Sequence, residues 1–244
     1  MAEKHSKQPP TRRQFLKKAA AIAGAAAFPC IIPGRALGLD GATAPSNRIT
    51  IGFIGVGRMG ARTHLESFLE DSSCQVLSIC DVEQGRREKQ AAAVNEYYAK
   101  ASGKSIYTAC DTYGDFRALC ARTDIDAVVI ATPNHWHALN AIEAMRCGKD
   151  VYLEKPMART VAECQAVIKA VRRYGRILQV GSQQRSDTAF RFACELVRNG
   201  RIGALREIYA NVGGPPQEDN LPAEPTPVGL DWDMWLGPCP ERPY

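Results

Sequence analysis

The chain has 244 residues, with 31 Lys and Arg against 26 Asp and Glu, a formal net charge of +5. Seven of the basic and two of the acidic residues lie in residues 1–44, so the rest holds 24 of each and is neutral. That balance, without any basic stripe interleaved with aromatics, excludes nucleic-acid binding, while the roughly 200 residues beyond position 44 suffice for one sizeable core.

Residues 1–44 read as an address. Thr11-Arg12-Arg13-Gln14-Phe15-Leu16-Lys17 is a twin-arginine run, and the small apolar stretch AAAIAGAAAFPCII follows it. Pro29 and Pro33 break that stretch well short of the ~20 apolar residues that span a bilayer. A charged start, a short apolar run and small residues at two candidate cleavage points, Ala42-Thr43-Ala44 and Ala36-Leu37-Gly38, predict a Tat-type export signal. The Tat translocase is then a partner, and the periplasm the destination.

From Arg48 onward strand and helix patterns alternate. RITIGFIG predicts a buried strand, and RMGARTHLESFLED a helix with Leu65, Phe68 and Leu69 on one face. CQVLSICD predicts a second strand, followed by a polar helix from about Glu83 to Lys100. A short strand is expected near SIYTA and a helix around YGDFRALCAR. DIDAVVIATP, HALNAIEAMRCG and KDVYLEKP then predict strand, helix and strand. VAECQAVIKAVRRYG predicts a helix ended by Gly175, and RILQVGS a last strand of this series. Strands separated by helices of about 10–15 residues imply βαβ units, hence an α/β fold with a Rossmann-type doubly wound parallel sheet. Beyond it, FRFACELVRNG predicts a helix, LREIYANV a strand, and GGPPQEDNLPAEPTPVG a loop. The nine cysteines show no C-x-x-C spacing, and most fall inside apolar patterns, so they are expected to be structural thiols with no metal site.

Two stretches carry chemistry. Gly55-Val56-Gly57-Arg58-Met59-Gly60 is G-x-G-x-x-G at a strand-to-helix junction. There Gly55 permits the turn, Gly57 lets a pyrophosphate approach, and Gly60 lets helix and strand pack. Asp81 follows at the end of the second strand, 26 residues after Gly55, where an acid accepts bonds from ribose hydroxyls and repels a 2′-phosphate. NAD is therefore the expected cofactor. Arg86 and Arg87 leave NADP open, since either could reach a 2′-phosphate; their other reading is a solvated surface. The second stretch is VYLEKP, in which Glu154, Lys155 and Pro156 stand at the carboxyl end of a core strand, the edge where ligands sit in open α/β sheets. Between the two, Pro133 and Asn134 in ATPNHWHA end a strand and cap a helix. His135 and His137 point apart, with no third ligand for a metal, and are read as structural or cofactor-lining.

ATPNHWHALNAIEAMRCGKDVYLEKPMARTVAE resembles the N-terminal half of the glucose–fructose oxidoreductase/inositol dehydrogenase (Gfo/Idh/MocA) family. GSQQRS and LDWDMWLGPCPERPY are similar to its Tat-exported branch. The resemblance implies that Lys155 is the active-site lysine, lying between the nicotinamide and the substrate hydroxyl, with a cis Lys155–Pro156 bond. It also implies a cofactor site built from Gly55, Gly57, Arg58, Met59, Gly60, Asp81, Thr132, Pro133, Asn134, His137, Glu154 and Lys155. Arg185 matches a position lining the substrate cleft, although a structural arginine fits as well. Trp232, with Trp235, would stack on a sugar ring or simply pack a loop.

The family's Asp and His opposite the lysine have no counterpart here, since no His follows His137. The chain therefore looks like the front half of such an enzyme. Its expected parts are a signal and linker over 1–44, a dinucleotide-binding domain over 47–181, and the start of an incomplete α+β substrate domain over 182–244. The implied function is hydride transfer between NAD and a hydroxyl-bearing carbon of a sugar or cyclitol, in a homo-oligomer when full length. The alternatives are an NAD-dependent glycosidase and a non-catalytic nucleotide-binding fragment.

Overall fold

Apolar runs bounded by polar turns become the strands of one sheet. The computed structural model describes residues 43–103, 105–214 and 221–244, so the twin-arginine run lies outside the described residues. Residues 47–244 form one unit. Within it, β1 (Ile49–Ile54) leads into α1, a π-helical turn Gly60–Leu65 that continues as the α-helix Glu66–Glu70. β2 (Cys74–Cys80), α2 (Gln84–Ser102), β3 (Asp111–Tyr113) and α3 (Phe116–Cys120) follow. The second half repeats the alternation with β4 (Ala127–Ile130), α4 (Asn134–Arg146), β5 (Asp150–Leu153), α5 (Val161–Tyr174) and β6 (Leu178–Val180).

All six strands are parallel, in the order β3-β2-β1-β4-β5-β6. This is the Rossmann-type sheet the alternation implied. The order reverses between β1 and β4, which opens a crevice beyond their carboxyl ends. Both faces of the sheet are covered. Phe53, Val76, Ile79 and Val94 form one apolar cluster, and Ile130, Leu153, Leu119 and Met145 the other. Burial on both faces is why β1 and β4 read as unbroken apolar runs rather than alternating ones.

Local chemistry sets several helix ends. At α5 the Thr160 side chain accepts from Glu163 N, and the Glu163 carboxylate accepts from Thr160 N, a capping box. Gly175 closes the same helix with φ +61°. At α4, by contrast, Pro133 rather than Asn134 takes the cap position, without a side-chain bond. The Lys155–Pro156 bond is cis.

Two expected strands are corrected. The third strand is Asp111–Tyr113 and not SIYTA, because β3 must pair with Ser78–Cys80 of β2, and Asn95 Oδ1 accepts Cys110 N just before it. Ile106, in the abandoned segment, is left 72% exposed. LREIYANV forms no strand at all. Its Ile208 and Val212 are 78% and 94% exposed, and no described strand lies alongside to bond its backbone. The amphipathic helix α6 (Thr188–Arg198) is likewise without a buried residue.

The eight cysteines among the described residues are free thiols. Burial pushes the Cys110 and Cys120 thiols up to about 12, and raises Cys80 further still, which makes all three inert at neutral pH.

Candidate cofactor site

The glycine loop is shaped by what lies behind it. Gly55 ends β1 with φ +84°, and a Cβ there would sit 2.7 Å from Thr132 N on the loop after β4. At Gly60 a Cβ would overlap the Gly55 carbonyl oxygen, so α1 can lie this close to β1 only through glycine. Gly57 differs from both. A Cβ there would meet nothing nearer than Arg86 Nη1, at 4.0 Å, so its backbone faces open space in the crevice. That space beside the first N–H groups of a helix suits a pyrophosphate. Arg58, exposed, and Met59, half-buried, open the helix.

Asp81 is 7% exposed and holds two turns together. Its Oδ2 accepts Val56 N at 2.9 Å and its Oδ1 accepts Glu83 N at 3.0 Å. The arginines beside it are not simply solvated. Arg86 reaches Glu83 at 2.6 Å and lies 3.8 Å from Asp81, while Arg87 donates to the Asp81 carbonyl at 3.1 Å. A cavity opens between Gly57, Asp81 and Arg86 on one bank and Thr132, Pro133 and Asn140 on the other. Asn140 donates to Thr132 Oγ1, yet its own Oδ1 is buried without a partner on the cavity wall. Open backbone at Gly57, a carboxylate at the end of β2 and an orphan acceptor opposite are features that fit a dinucleotide.

The second group stands at the end of β5, on the same edge of the sheet because the strands are parallel. Glu154 is 7% exposed; its Oε1 lies 2.7 Å from His64 Nε2, and its Oε2 accepts Lys155 N at 3.0 Å. Tyr152 meets the His64 ring edge-on at 5.2 Å. Lys155 itself is exposed, and its ammonium has no partner among the described residues. His137 is buried rather than lining the cavity. Its ring nitrogens lie 2.6 Å from Pro156 O and 2.9 Å from Thr132 O, so it ties the loop after β4 to the turn that carries Lys155.

His64 was not singled out by sequence reasoning. The one available signal was its place four residues after Gly60. The π-helical turn brings it inward, and it couples the glycine-loop helix to Glu154 across 90 residues of chain. His64→Ala would leave a buried Glu154 oxygen without this partner. It is expected to lower stability by about 1–3 kcal/mol, the cost of an unsatisfied buried acceptor. Urea denaturation checks this, and an unchanged midpoint would show that the contact contributes nothing.

Two further candidates stand on other segments of the chain. Arg185 is exposed in the turn after β6, beside Phe190 and Arg191 of α6. Trp232 opens α7 (Trp232–Leu236) and stacks on Trp235 at 4.8 Å, with its indole N–H donating to Arg242 O. Asn134, exposed at the first position of α4, is not part of the cavity wall. Among the described residues no group of His, Cys, Asp or Glu is arranged to hold a metal ion.

Residues 49–182 match the sequence pattern of the Gfo/Idh/MocA family, an oxidoreductase family with an NAD-binding Rossmann fold. A glycosyl hydrolase family 109 protein of Shewanella baltica is 33% identical over 207 residues, covering 80% of this chain and 44% of its own. An inositol 2-dehydrogenase of Salmonella paratyphi B is 32% identical over 154 residues, 62% of this chain and 42% of its own. Among solved structures, myo-inositol 2-dehydrogenase from Lactobacillus plantarum is similar with a TM-score of 0.52 at 26% identity, over 64% of this chain and 42% of that one. The chain thus spans less than half the length of the relatives it matches.

Proposed function

The chain belongs to the Gfo/Idh/MocA oxidoreductase family through its NAD-binding Rossmann domain, and from that premise we propose that it holds NAD for hydride transfer at a hydroxyl-bearing carbon of a sugar or cyclitol. The observation that carries the reading is the placement of Asp81. It stands on the cavity wall at the end of β2, bonded to the glycine loop through Val56 N. When bound, NAD supplies the hydride acceptor. The chain's own part is to seat the pyrophosphate on the loop N–H groups, to accept the ribose hydroxyls at Asp81, and to present the Lys155 ammonium to the substrate hydroxyl, where it holds or moves a proton. In this reading residues 182–244 begin the substrate-facing domain, and two of its apolar side chains, Phe190 and Phe192, are 51% and 60% exposed.

Charge decides the cofactor. Asp81 repels a 2′-phosphate, and the Glu83 carboxylate engages Arg86 at 2.6 Å, which leaves that guanidinium less able to compensate. Titrating the folded chain with NADH and NADPH should show tighter NADH binding. Tighter NADPH binding would overturn the preference, and binding of neither would overturn the cofactor reading.

A second reading rests on coverage. The glycosyl hydrolase family 109 relative aligns over 80% of this chain, against 62% for the inositol dehydrogenase. An NAD-dependent glycosidase would oxidise the sugar transiently, eliminate the aglycone, add water across the resulting double bond and return the hydride, one of the exceptions to the two-carboxylate scheme. Sugar release without net NADH accumulation distinguishes it from a dehydrogenase.

A further inference from the structure

The segment that carries Trp232 and Trp235 crosses the cofactor cleft from bank to bank. On the β2 side, Gln84 N donates to Gly229 O at 2.8 Å, Leu230 pairs with Glu83 in an antiparallel bridge, and Asp231 N donates to Val82 O. On the β4 side, Trp136 Nε1 donates to Met234 O at 2.9 Å, and His135 Nε2 lies 2.9 Å from Trp235 O. Gly237 then rests on the Trp136 indole so closely that any Cβ would overlap the ring. Glycines with positive φ stand at both ends, Gly229 at +85° and Gly237 at +52°. Between the two anchors, Asp231 Oδ1 caps α7 by accepting Met234 N, and Met234 and Trp235 face the cavity together with Asp81 and Phe116.

A loop that merely packs on the domain would need only one anchor. This one is bonded to both halves of the crevice through main-chain groups, and it presents an indole and a thioether to the cavity between them. A flat aromatic face and a polarisable sulfur are what a purine ring packs against. We infer that residues 229–237 form a strap over the adenosine end of the cleft, and that Met234 and Trp235 supply the face on which the adenine of NAD lies. The inference rests on the cofactor reading above. It also gives His135 and Trp136 a role, since both hold the strap's backbone. Because the strap is hydrogen-bonded on both banks, the adenine leaves only when one anchor opens, and dissociation is correspondingly slow.

The test is NADH dissociation, followed by stopped-flow fluorescence as excess NAD chases NADH from the 244-residue chain. Trp235→Ala and Gly237→Ala should each release NADH about 10–100-fold faster, the range expected when one base–aromatic stack is lost. Trp235→Phe should stay near wild type, and AMP affinity should fall in step in the two faster variants. Melting temperatures show whether each variant is folded; if Trp235→Ala is not, Met234→Ala provides the same comparison. Wild-type dissociation rates in the folded variants would overturn the strap while leaving the cofactor reading intact. So would loss of NADH affinity with AMP affinity unchanged. A wild-type chain that binds neither NADH nor AMP would instead sink the cofactor reading itself.

Discussion

Alanine at position 60 is expected to remove NAD binding and to destabilise the fold, whereas alanine at position 57 should remove binding alone. The added methyl at Gly60 would overlap the Gly55 carbonyl oxygen and come within 3.4 Å of Ala131 Cβ. Neither can rotate aside. The carbonyl is backbone, and Gly55 is itself fixed against Thr132 N. Helix α1 would have to move off β1, at the ~1–3 kcal/mol cost typical of overpacking, and its N–H groups would leave the pyrophosphate position. At Gly57 a methyl meets no protein atom nearer than 4.0 Å, so the fold should tolerate it. The methyl would instead occupy the space the pyrophosphate needs. Thermal denaturation and NADH titration of the two variants separate these effects. Wild-type affinity in Gly60→Ala would mean that the loop does not seat the cofactor.

Lys155→Ala should leave NAD binding and stability unchanged and cut turnover by roughly 10²–10⁴-fold, the usual contribution of a positioned proton-transfer group. The side chain is exposed and its ammonium has no described partner, so truncation breaks no packing. The backbone bond from Lys155 N to Glu154 Oε2 survives the change, and the turn keeps its shape. The chain spans less than half of a relative's length. The rate is therefore best read in a chimera that joins it to the C-terminal part of the Shewanella baltica relative. By itself the 244-residue chain should bind NADH yet turn over sugars and cyclitols negligibly, because it covers less than half the length of the relatives it matches. Full activity of Lys155→Ala in the chimera would remove the lysine from the chemistry, and loss of NADH binding would make it a cofactor ligand instead.

Much of this was legible in the residues because the relevant physics is local. Near-continuous apolar runs marked β1 and β4, since strands covered on both faces show no alternation. The glycine loop and Asp81 at the end of β2 were readable as turn chemistry and spacing. So was the stop of α5 at Gly175, because an αL residue at a helix end needs no distant partner. Errors arose wherever the outcome depended on a neighbour. SIYTA and LREIYANV have the composition of strands, but a strand exists only where another edge bonds it. β2 paired with Asp111–Tyr113, and no described strand pairs with residues 205–212.

The residue pattern carries the alternation of elements, the glycine loop after β1, the acid beyond it and the lysine at the end of β5. Which of these are coupled depends on how the elements pack. The His64–Glu154 contact spans 90 residues, and Trp136 reaches Met234 across 98. Neither residue of such a pair carries a local sign of the other. Periodicity and turn propensity act over a few positions, whereas a partner on another element is chosen by the sheet order that brings the two chain segments to one edge.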